Sequence, residues 1–169
     1  LNIMDQNGQR YSLFLSNGSP DPVIDEERIA KEIANASTIF LSLCASSGKL
    51  LQYVREAKAE VLLDLHDYDG KNPWYDDFIS CADVIQLSDI ALNDCAPVID
   101  RLLAGRADQI VLTKAEKGAE IFTSGSVIDV PPHAAMLRDS YSPPLPFSFS
   151  LFSSPLSRPH LRPPPLFSP

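Results

Sequence analysis

A threonine, two lysines and a glycine lie close together where a short apolar segment ends. The segment Gln109–Thr113 is followed at once by Lys114, and Lys117 and Gly118 come shortly after it. A hydroxyl, cationic side chains and a permissive backbone at one turn are groups that bind phosphate. The simpler alternative is an ordinary strand-to-turn connection with solvated lysines. The residues of this turn leave both interpretations open.

Carboxylates follow an earlier apolar segment, and hard oxygen ligands of this kind bind Mg²⁺ or Ca²⁺. Their spacing does not fit the Asp-x-Asp-x-Asp-Gly pattern of a calcium loop. Solvated loop carboxylates are therefore favoured, and no metal ligand is predicted. His66, in the same loop, is interpreted as a hydrogen-bonded loop residue, so no catalytic residue is predicted. The carboxylates are Asp64, Asp67, Asp69, Asp76 and Asp77.

Three cysteines are too few and too scattered for a disulfide framework, and no Cys-x-x-Cys pair indicates zinc. Each lies on or beside an apolar segment, so buried and unreactive thiols are predicted. The three are Cys44, Cys81 and Cys95.

The elements that must position these residues alternate between helical and strand patterns. Asn-Gly and Ser-Gly dipeptides predict a hairpin at each end of this series. Continuous apolar strands alternating with helices predict an α/β fold, a parallel sheet with helices on both faces. Ligands of such sheets bind at the carboxyl ends of the strands. The predicted strands are Thr38–Leu43, Val61–Leu65, Asp83–Leu87 and Gln109–Thr113, and the predicted helices are 25–35, 46–57, 73–81 and a segment from Ser88 to Ala104 that Pro97 interrupts.

Five segments, in this order, resemble the motifs of the PfkB/ribokinase-type carbohydrate kinases. The resemblance covers about residues 1–140, and no single motif decides it. The segments are Asn7–Arg10, Leu63–Tyr68, Ala82–Ser88, Val111–Ala119 and Ile128–Pro131.

This resemblance implies a ribokinase-like fold, a mostly parallel sheet with flanking helices. It also implies transfer of the γ-phosphoryl group of ATP to a sugar hydroxyl, with Mg²⁺. Asp64, Thr113, Lys114 and Gly118 would then bind the nucleotide. The sugar and ATP are the implied partners, and pairing with a second copy or another subunit is left open.

The sequence departs from the family pattern at several points. Arg138-Asp139-Ser140 resembles the start of Asp-Thr/Ser-Thr-Gly-Ala-Gly-Asp, but Tyr141 begins a different sequence, so the anion hole and the catalytic Asp have no counterpart. The N-terminal sugar-binding Gly-Gly-x-x-x-Asn is also absent. The chain is thus expected to be a partial domain that is inactive alone. The alternatives are a non-catalytic α/β module that binds a nucleotide or a subunit, and a gene fragment without function.

Inside the region that resembles the family, further motif positions also differ. The Asn-x-x-Glu motif falls on Ser88 and Ala91, and the Asn and Arg of Asp-x-Asn-x-Arg fall on His66 and Tyr68. Ala115 replaces the first Gly of Thr-x-Gly-x-x-Gly. Each of these changes is expected to weaken nucleotide binding.

Composition divides the chain into a domain, 1–141, and a Pro/Ser-rich tail, 142–169, that is expected to be disordered. The whole chain of 169 residues carries a net charge of −8, and the tail has nine Pro, seven Ser and no acidic residue. The acidic domain is expected to repel nucleic acid and anionic membranes. Neither a signal peptide nor an apolar run of membrane-spanning length is visible, so a cytoplasmic location is expected.

Overall fold

A computed structural model describes residues 2–4, 10–13, 19 and 23–132 of the chain. Strands β1 (Asn2–Met4) and β2 (Arg10–Ser12) pair antiparallel, with Ile3 opposite Tyr11. This pairing confirms the first predicted hairpin. Its connecting residues, like the tail 142–169, lie outside the described residues.

The main unit contains one six-stranded sheet in which neighbours in space are neighbours in the chain, in the order β3-β4-β5-β6-β7-β8. β3 to β6 are parallel, whereas β7 and β8 return antiparallel as a hairpin. The mostly parallel sheet and the second hairpin are therefore as predicted. The strands are β3 (Thr38–Leu41), β4 (Glu60–Asp64), β5 (Val84–Ser88), β6 (Gln109–Thr113), β7 (Ala119–Thr123) and β8 (Val127–Val130).

Four helices connect or precede the parallel strands. They are α1 (Glu26–Asn35), α2 (Ala45–Glu56), α3 (Asp76–Ile79) and α4 (Ala96–Leu103). As predicted, the Asp25 side chain caps α1 by accepting a hydrogen bond from the backbone N–H of Arg28. None of the helices in this part of the chain is long and apolar enough to cross a membrane.

The prediction of an interrupted helix from Ser88 onward was wrong. Helix α4 begins only at Ala96, and Pro97 occupies its first turn. Proline suits this position because its missing N–H would have no helical partner there. Residues 89–94 form one turn, bends and irregular backbone instead.

The hydrophobic cluster beneath the helices lies on one face of the sheet, and Val111 is buried on the other face. Alternate residues of β4, β5 and β6, such as Leu63, Ile85 and Ile110, form one buried cluster with residues of α2, α3 and α4, and α1 packs against it through Ile33. Each connection adds the next parallel strand on the same side of the previous one. Because such connections are right-handed, they all place their helices on the same face of the sheet. Helices were predicted on both faces, but the described ones cover a single face.

Strand β3 was predicted to be buried, but it is an edge strand of the sheet over residues 23–132. Only Leu41 of this strand is buried, and Phe40 on the other face is 59% exposed. Apolar runs alone do not distinguish an edge strand from a central one.

One carboxylate joins three segments at the amino ends of the parallel strands. Asp83 Oδ2 accepts a hydrogen bond from Val61 N of β4 at 2.9 Å. Both carboxylate oxygens accept from Arg106, at 2.9 and 3.2 Å, and Asp83 O accepts from Asp108 N at 2.9 Å. The ion pair raises the pKa of Arg106. This network links the starts of β4, β5 and β6.

Replacing Asp83 by alanine should lower the free energy of unfolding by about 2–3 kcal/mol, because charge-assisted hydrogen bonds to two segments are lost. Urea denaturation followed by circular dichroism measures this change. The control is Asp77→Ala, which breaks an exposed Arg55–Asp77 pair of the same 2.9 Å length. An exposed pair contributes under about 1 kcal/mol. Equal losses in the two variants would contradict a structural role for the Asp83 network.

Cys44 was predicted to be a buried and unreactive thiol, but it is exposed. It is the residue before α2, and its Sγ lies 3.1 Å from Ser47 Oγ. Hydrogen bonds from Ser47 lower the pKa of Cys44. Cys81 is buried as predicted, and burial raises the pKa of the half-buried Cys95.

At about pH 7, Cys44 should react with iodoacetamide faster than Cys95, because a lower pKa leaves more of the thiol as reactive thiolate. Ser47→Ala should raise the Cys44 pKa toward its ordinary value and slow its alkylation at this pH. The two proteins should react at similar rates near pH 10, where both thiols are ionised. Peptide mass spectrometry over time measures each rate. Faster labelling of Cys95 than of Cys44 would refute the assignment.

Candidate functional site

The carboxyl ends of the parallel strands carry the polar residues that the sequence singled out. Asp64 ends β4, Ser88 ends β5 and Thr113 ends β6. Ser88 and Thr113 are paired across neighbouring strands, and Asp64 pairs with Gln86. Parallel strand ends meet at one edge of a sheet, which is where ligands of α/β proteins bind.

The turn after β6 is held by its own backbone. Lys114 N donates to Gly118 O at 2.8 Å, Lys117 N to Lys114 O at 2.9 Å, and Gly118 N to Ala115 O at 3.1 Å. These bonds close a single 3₁₀ turn over Ala115–Lys117. The amides of Lys114, Lys117 and Gly118 are thus engaged within the turn.

Gly118 is required by the backbone of this turn. Its φ is +88°, a conformation that side chains with a Cβ rarely adopt. A Cβ at this position would also collide with the carbonyl oxygen of Val130 and lie 2.9 Å from Pro132 N. The match of Gly118 to a family motif therefore has a structural explanation, namely the close passage of the chain after β8.

Lys114 is oriented by a carboxylate. Its Nζ lies 2.6 Å from Glu120 Oε2 of β7, and both side chains are about one-quarter exposed. This contact raises the pKa of Lys114. Thr113 Oγ1 donates to Leu87 O at 3.3 Å and so bridges β6 and β5. The hydroxyl and the ammonium group of the turn both have protein partners in this conformation.

Asp64 has three contacts. Its Oδ1 accepts from His66 N at 2.9 Å, and its Oδ2 lies 3.5 Å from both His66 Nδ1 and Gln86 Nε2. The Asp64 side chain is 19% exposed and that of His66 is 70% exposed. His66 has a φ of +51°. The loop after β4 therefore presents an imidazole that a half-buried carboxylate supports.

The four residues predicted to bind a nucleotide form two groups. Thr113, Lys114 and Gly118 share one turn, whereas Asp64 lies on β4, with β5 between them. From the register and a strand spacing of 4.8 Å, Asp64 and Thr113 are about 12 Å apart. This distance is too long for one phosphate to contact both, although a nucleotide with several phosphates can span it.

The loop aspartates do not gather around a metal. Asp69 accepts hydrogen bonds from Lys71 N at 2.9 Å and Asn72 N at 3.1 Å, which lower its pKa and shape the loop. Among the described residues, no three His, Cys, Asp or Glu side chains lie close enough to hold a metal ion. Within residues 23–132, no set of three protein ligands is present for the Mg²⁺ that the family resemblance implies. An ion bound mainly by phosphate oxygens would need few protein ligands.

A surface groove of about 410 Å³ lies elsewhere, between α3 and the end of α4. Arg106, which lines it, binds the amino end of β5 through Asp83. The groove is therefore remote from the carboxyl ends of the strands. The candidate site is instead the carboxyl ends of the strands, where both groups of predicted residues lie.

Sequence reasoning missed Glu120, Gln86 and the support that Asp64 gives to His66. Neither Glu120 nor Gln86 was predicted to belong to the site, and Gln86 is the one polar residue that is buried in the described part of the chain. A glutamine inside an apolar strand was the available signal, because buried polar groups need partners. No signal in the sequence pairs Glu120 with Lys114.

Known proteins resemble this chain in sequence and in fold. The acarbose 7(IV)-phosphotransferase of Actinoplanes sp. is 27% identical over 131 residues, which are 74% of this chain and 42% of that protein. A microbiome-derived acarbose kinase superposes with a TM-score of 0.68 at 24% identity, over 79% of this chain and 46% of that one. Arabidopsis thaliana ribokinase, complexed with ribose and ATP, gives a TM-score of 0.63 at 16% identity, over 80% and 48%.

The chain thus spans less than half the length of these relatives. No family model matches it. The similarity to solved structures establishes the fold, and the similarity in sequence to the phosphotransferase extends over most of this chain. The chain therefore has the fold of a partial ribokinase-like domain, and its sequence is similar to that of a carbohydrate phosphotransferase.

Proposed function

We propose that this chain is part of an ATP-dependent carbohydrate kinase, which transfers the γ-phosphoryl group of ATP to a sugar hydroxyl. The observation that carries the proposal is the 27% identity to a carbohydrate phosphotransferase over 131 residues. The convergence of polar residues at the carboxyl ends of β4, β5 and β6 supports it, because that edge is where this class of sheet binds ligands. A cytoplasmic location, where ATP is available, belongs to the same proposal.

We propose the turn after β6 as the nucleotide-binding part of the site. ATP-bound structures occur among the proteins that share this fold. Lys114 is the residue most suited to contact phosphate. Its ammonium group, which pairs with the Glu120 carboxylate in this structure, can bind a phosphate oxygen in place of that carboxylate and stay at the surface. Thr113, Gly118 and Asp64 complete the proposed set, with Gly118 shaping the turn.

We further propose that the 169-residue chain does not transfer phosphoryl groups by itself. The family motif that supplies the anion hole and the base has no counterpart after Ser140, where the sequence becomes rich in proline. Phosphoryl transfer depends on positioning and electrostatic stabilisation. A chain without these groups retains at most the binding of its substrates.

The purified chain should bind ATP, and Lys114→Gln should weaken this binding about tenfold, the effect of one charge-assisted hydrogen bond. Isothermal titration calorimetry measures the affinity. Lys58→Gln is the matched control, because Lys58 is exposed and precedes β4 at the opposite edge of the sheet. Absence of ATP binding, or equal effects of the two variants, would reject the nucleotide site.

Incubation of the chain with ATP and acarbose, fructose or ribose should yield no sugar phosphate above a protein-free control. Mass spectrometry of the sugars measures the product. Turnover in this assay would contradict the inactivity of the isolated chain and support the kinase assignment. Binding of ATP without turnover is the expected combination.

A further inference from the structure

His66 is an exposed ionisable residue at the candidate site to which the proposed nucleotide site assigns no role. It stands two residues beyond Asp64, where β4 leaves the sheet, and 70% of its side chain is exposed. The edge of the sheet on which it stands is the one that carries Ser88 and Thr113. An imidazole at this position is a candidate ligand-binding group.

The backbone of His66 is fixed at both ends. Its N–H donates to Asp64 Oδ1 at 2.9 Å, and its carbonyl accepts from Ser88 N of β5 at 2.8 Å. Its φ of +51° lies in the left-handed region, which is uncommon for residues with a side chain. Residues held in such conformations concentrate at functional sites. The backbone thus fixes the point and the direction in which the His66 side chain leaves the chain.

The ring of His66 is supported from one side. Nδ1 lies 3.5 Å from Asp64 Oδ2, and Gln86 Nε2 lies 3.5 Å from the same oxygen. Gln86 is 8% exposed and the Asp64 side chain is 19% exposed, so both groups that support the ring are largely shielded from solvent. A ring whose Nδ1 is turned toward a carboxylate has its Nε2 on the opposite side, which for this exposed ring is the solvent side.

We propose that Asp64 holds His66 in the tautomer with the proton on Nδ1, and that Nε2 accepts a hydrogen bond from a hydroxyl group of the carbohydrate. His66 would then contact the substrate, and Asp64 would be a positioning residue that acts through it. This inference rests on the proposed function and adds a substrate-binding residue to it. It also changes the role proposed for Asp64, because its second oxygen is committed to the ring.

The surroundings of His66 favour a hydroxyl group as the partner of its Nε2. Asp64 precedes His66 in the chain, and Asp67 and Asp69 follow it, so carboxylates lie on both sides of it. Negative charge at this density repels the phosphates of a nucleotide but not a neutral sugar. A neutral imidazole with its proton on Nδ1 has a free acceptor on Nε2, and a sugar hydroxyl supplies the donor.

The first test is the tautomer of His66, measured by long-range ¹H–¹⁵N NMR of the ¹⁵N-labelled chain at about pH 8, where an ordinary imidazole is neutral. The chain has three histidines, His66, His133 and His160, and His66→Gln identifies the signal by its loss. We expect a protonated Nδ1 and an unprotonated Nε2. The opposite tautomer would overturn the proposal, and so would a mixture of the two tautomers whose ratio Asp64→Asn does not change.

Asp64→Asn makes this test specific. The asparagine retains an oxygen for His66 N–H, but its amide group donates to Nδ1 and cannot accept from it. The variant should therefore move the proton to Nε2 without unfolding the chain. Asp67→Asn removes the same charge from an exposed position in the same loop and should leave the tautomer unchanged. A shift of the proton in both variants would indicate a general charge effect and reject the positioning role.

The second test is titration of the chain with acarbose and, separately, with fructose. Binding should perturb the His66 signals, and His66→Ala and Asp64→Asn should each weaken the affinity about three- to tenfold, as expected for one hydrogen bond. Asp64→Glu, which retains the carboxylate, should recover part of the loss. Equal affinity in the wild type and His66→Ala would overturn the contact. Absence of sugar binding would also overturn it.

The two proposals fail in distinguishable ways. ATP binding that depends on Lys114 tests the kinase assignment without involving His66. If ATP binds and the tautomer of His66 is wrong, the inference about His66 fails and the kinase assignment stands. If the tautomer is as expected and neither ATP nor either sugar binds, the proposed function fails, and with it the substrate contact.

Discussion

The geometry of the candidate site depends on the register of three parallel strands, and one half-buried network at their amino ends helps to fix that register. Asp83 joins the first residues of β4 and β5 to the segment before β6, through Val61 N, Arg106 and Asp108 N. Parallel strands lack the tight turns that set register in hairpins, so pairing must be specified by other contacts. A slip of one residue would exchange the two faces of a strand. The strand ends would then no longer present their polar residues together.

The direction in which the sheet grows explains where those polar residues lie. Each connection from β3 to β6 adds its strand on the same side, so α2, α3 and α4 cover one face and the core cluster forms beneath them. Asp64, Gln86 and Thr113 alternate with the core residues and belong to the opposite face. Because successive side chains of a strand point to opposite faces, the polar strand ends lie on the face away from the hydrophobic cluster beneath the helices. This separation lets the strand ends carry charge without placing it in the core.

Local patterns predicted most of the fold, and contacts between distant residues account for what they missed. Helix α1 with its Asp25 cap, strand β6 and both hairpins follow from signals within a few residues. The burial of β3 depends on its place at the edge of the sheet, which its own sequence does not encode. At the site, Thr113 and Gly118 were identifiable from their turn. The pairing of Lys114 with Glu120 depends on the antiparallel pairing of β6 with β7, which the spacing of the two residues does not predict.

The two loops at the strand ends differ in whether their polar groups already bind partners within the protein. In the turn after β6, backbone amides close on carbonyls of the same turn and Lys114 binds Glu120, so a ligand must compete with these partners. In the loop after β4, the contacts of Asp64 hold the backbone and one side of His66, whose ring stays mostly exposed. A ligand of the first loop would have to displace these bonds, whereas the contacts of Asp64 already organise the second loop without a ligand. Preorganised groups lose less entropy on binding. Specificity at this edge should therefore reside in the loop after β4, and the turn after β6 should respond to the charge of its ligand.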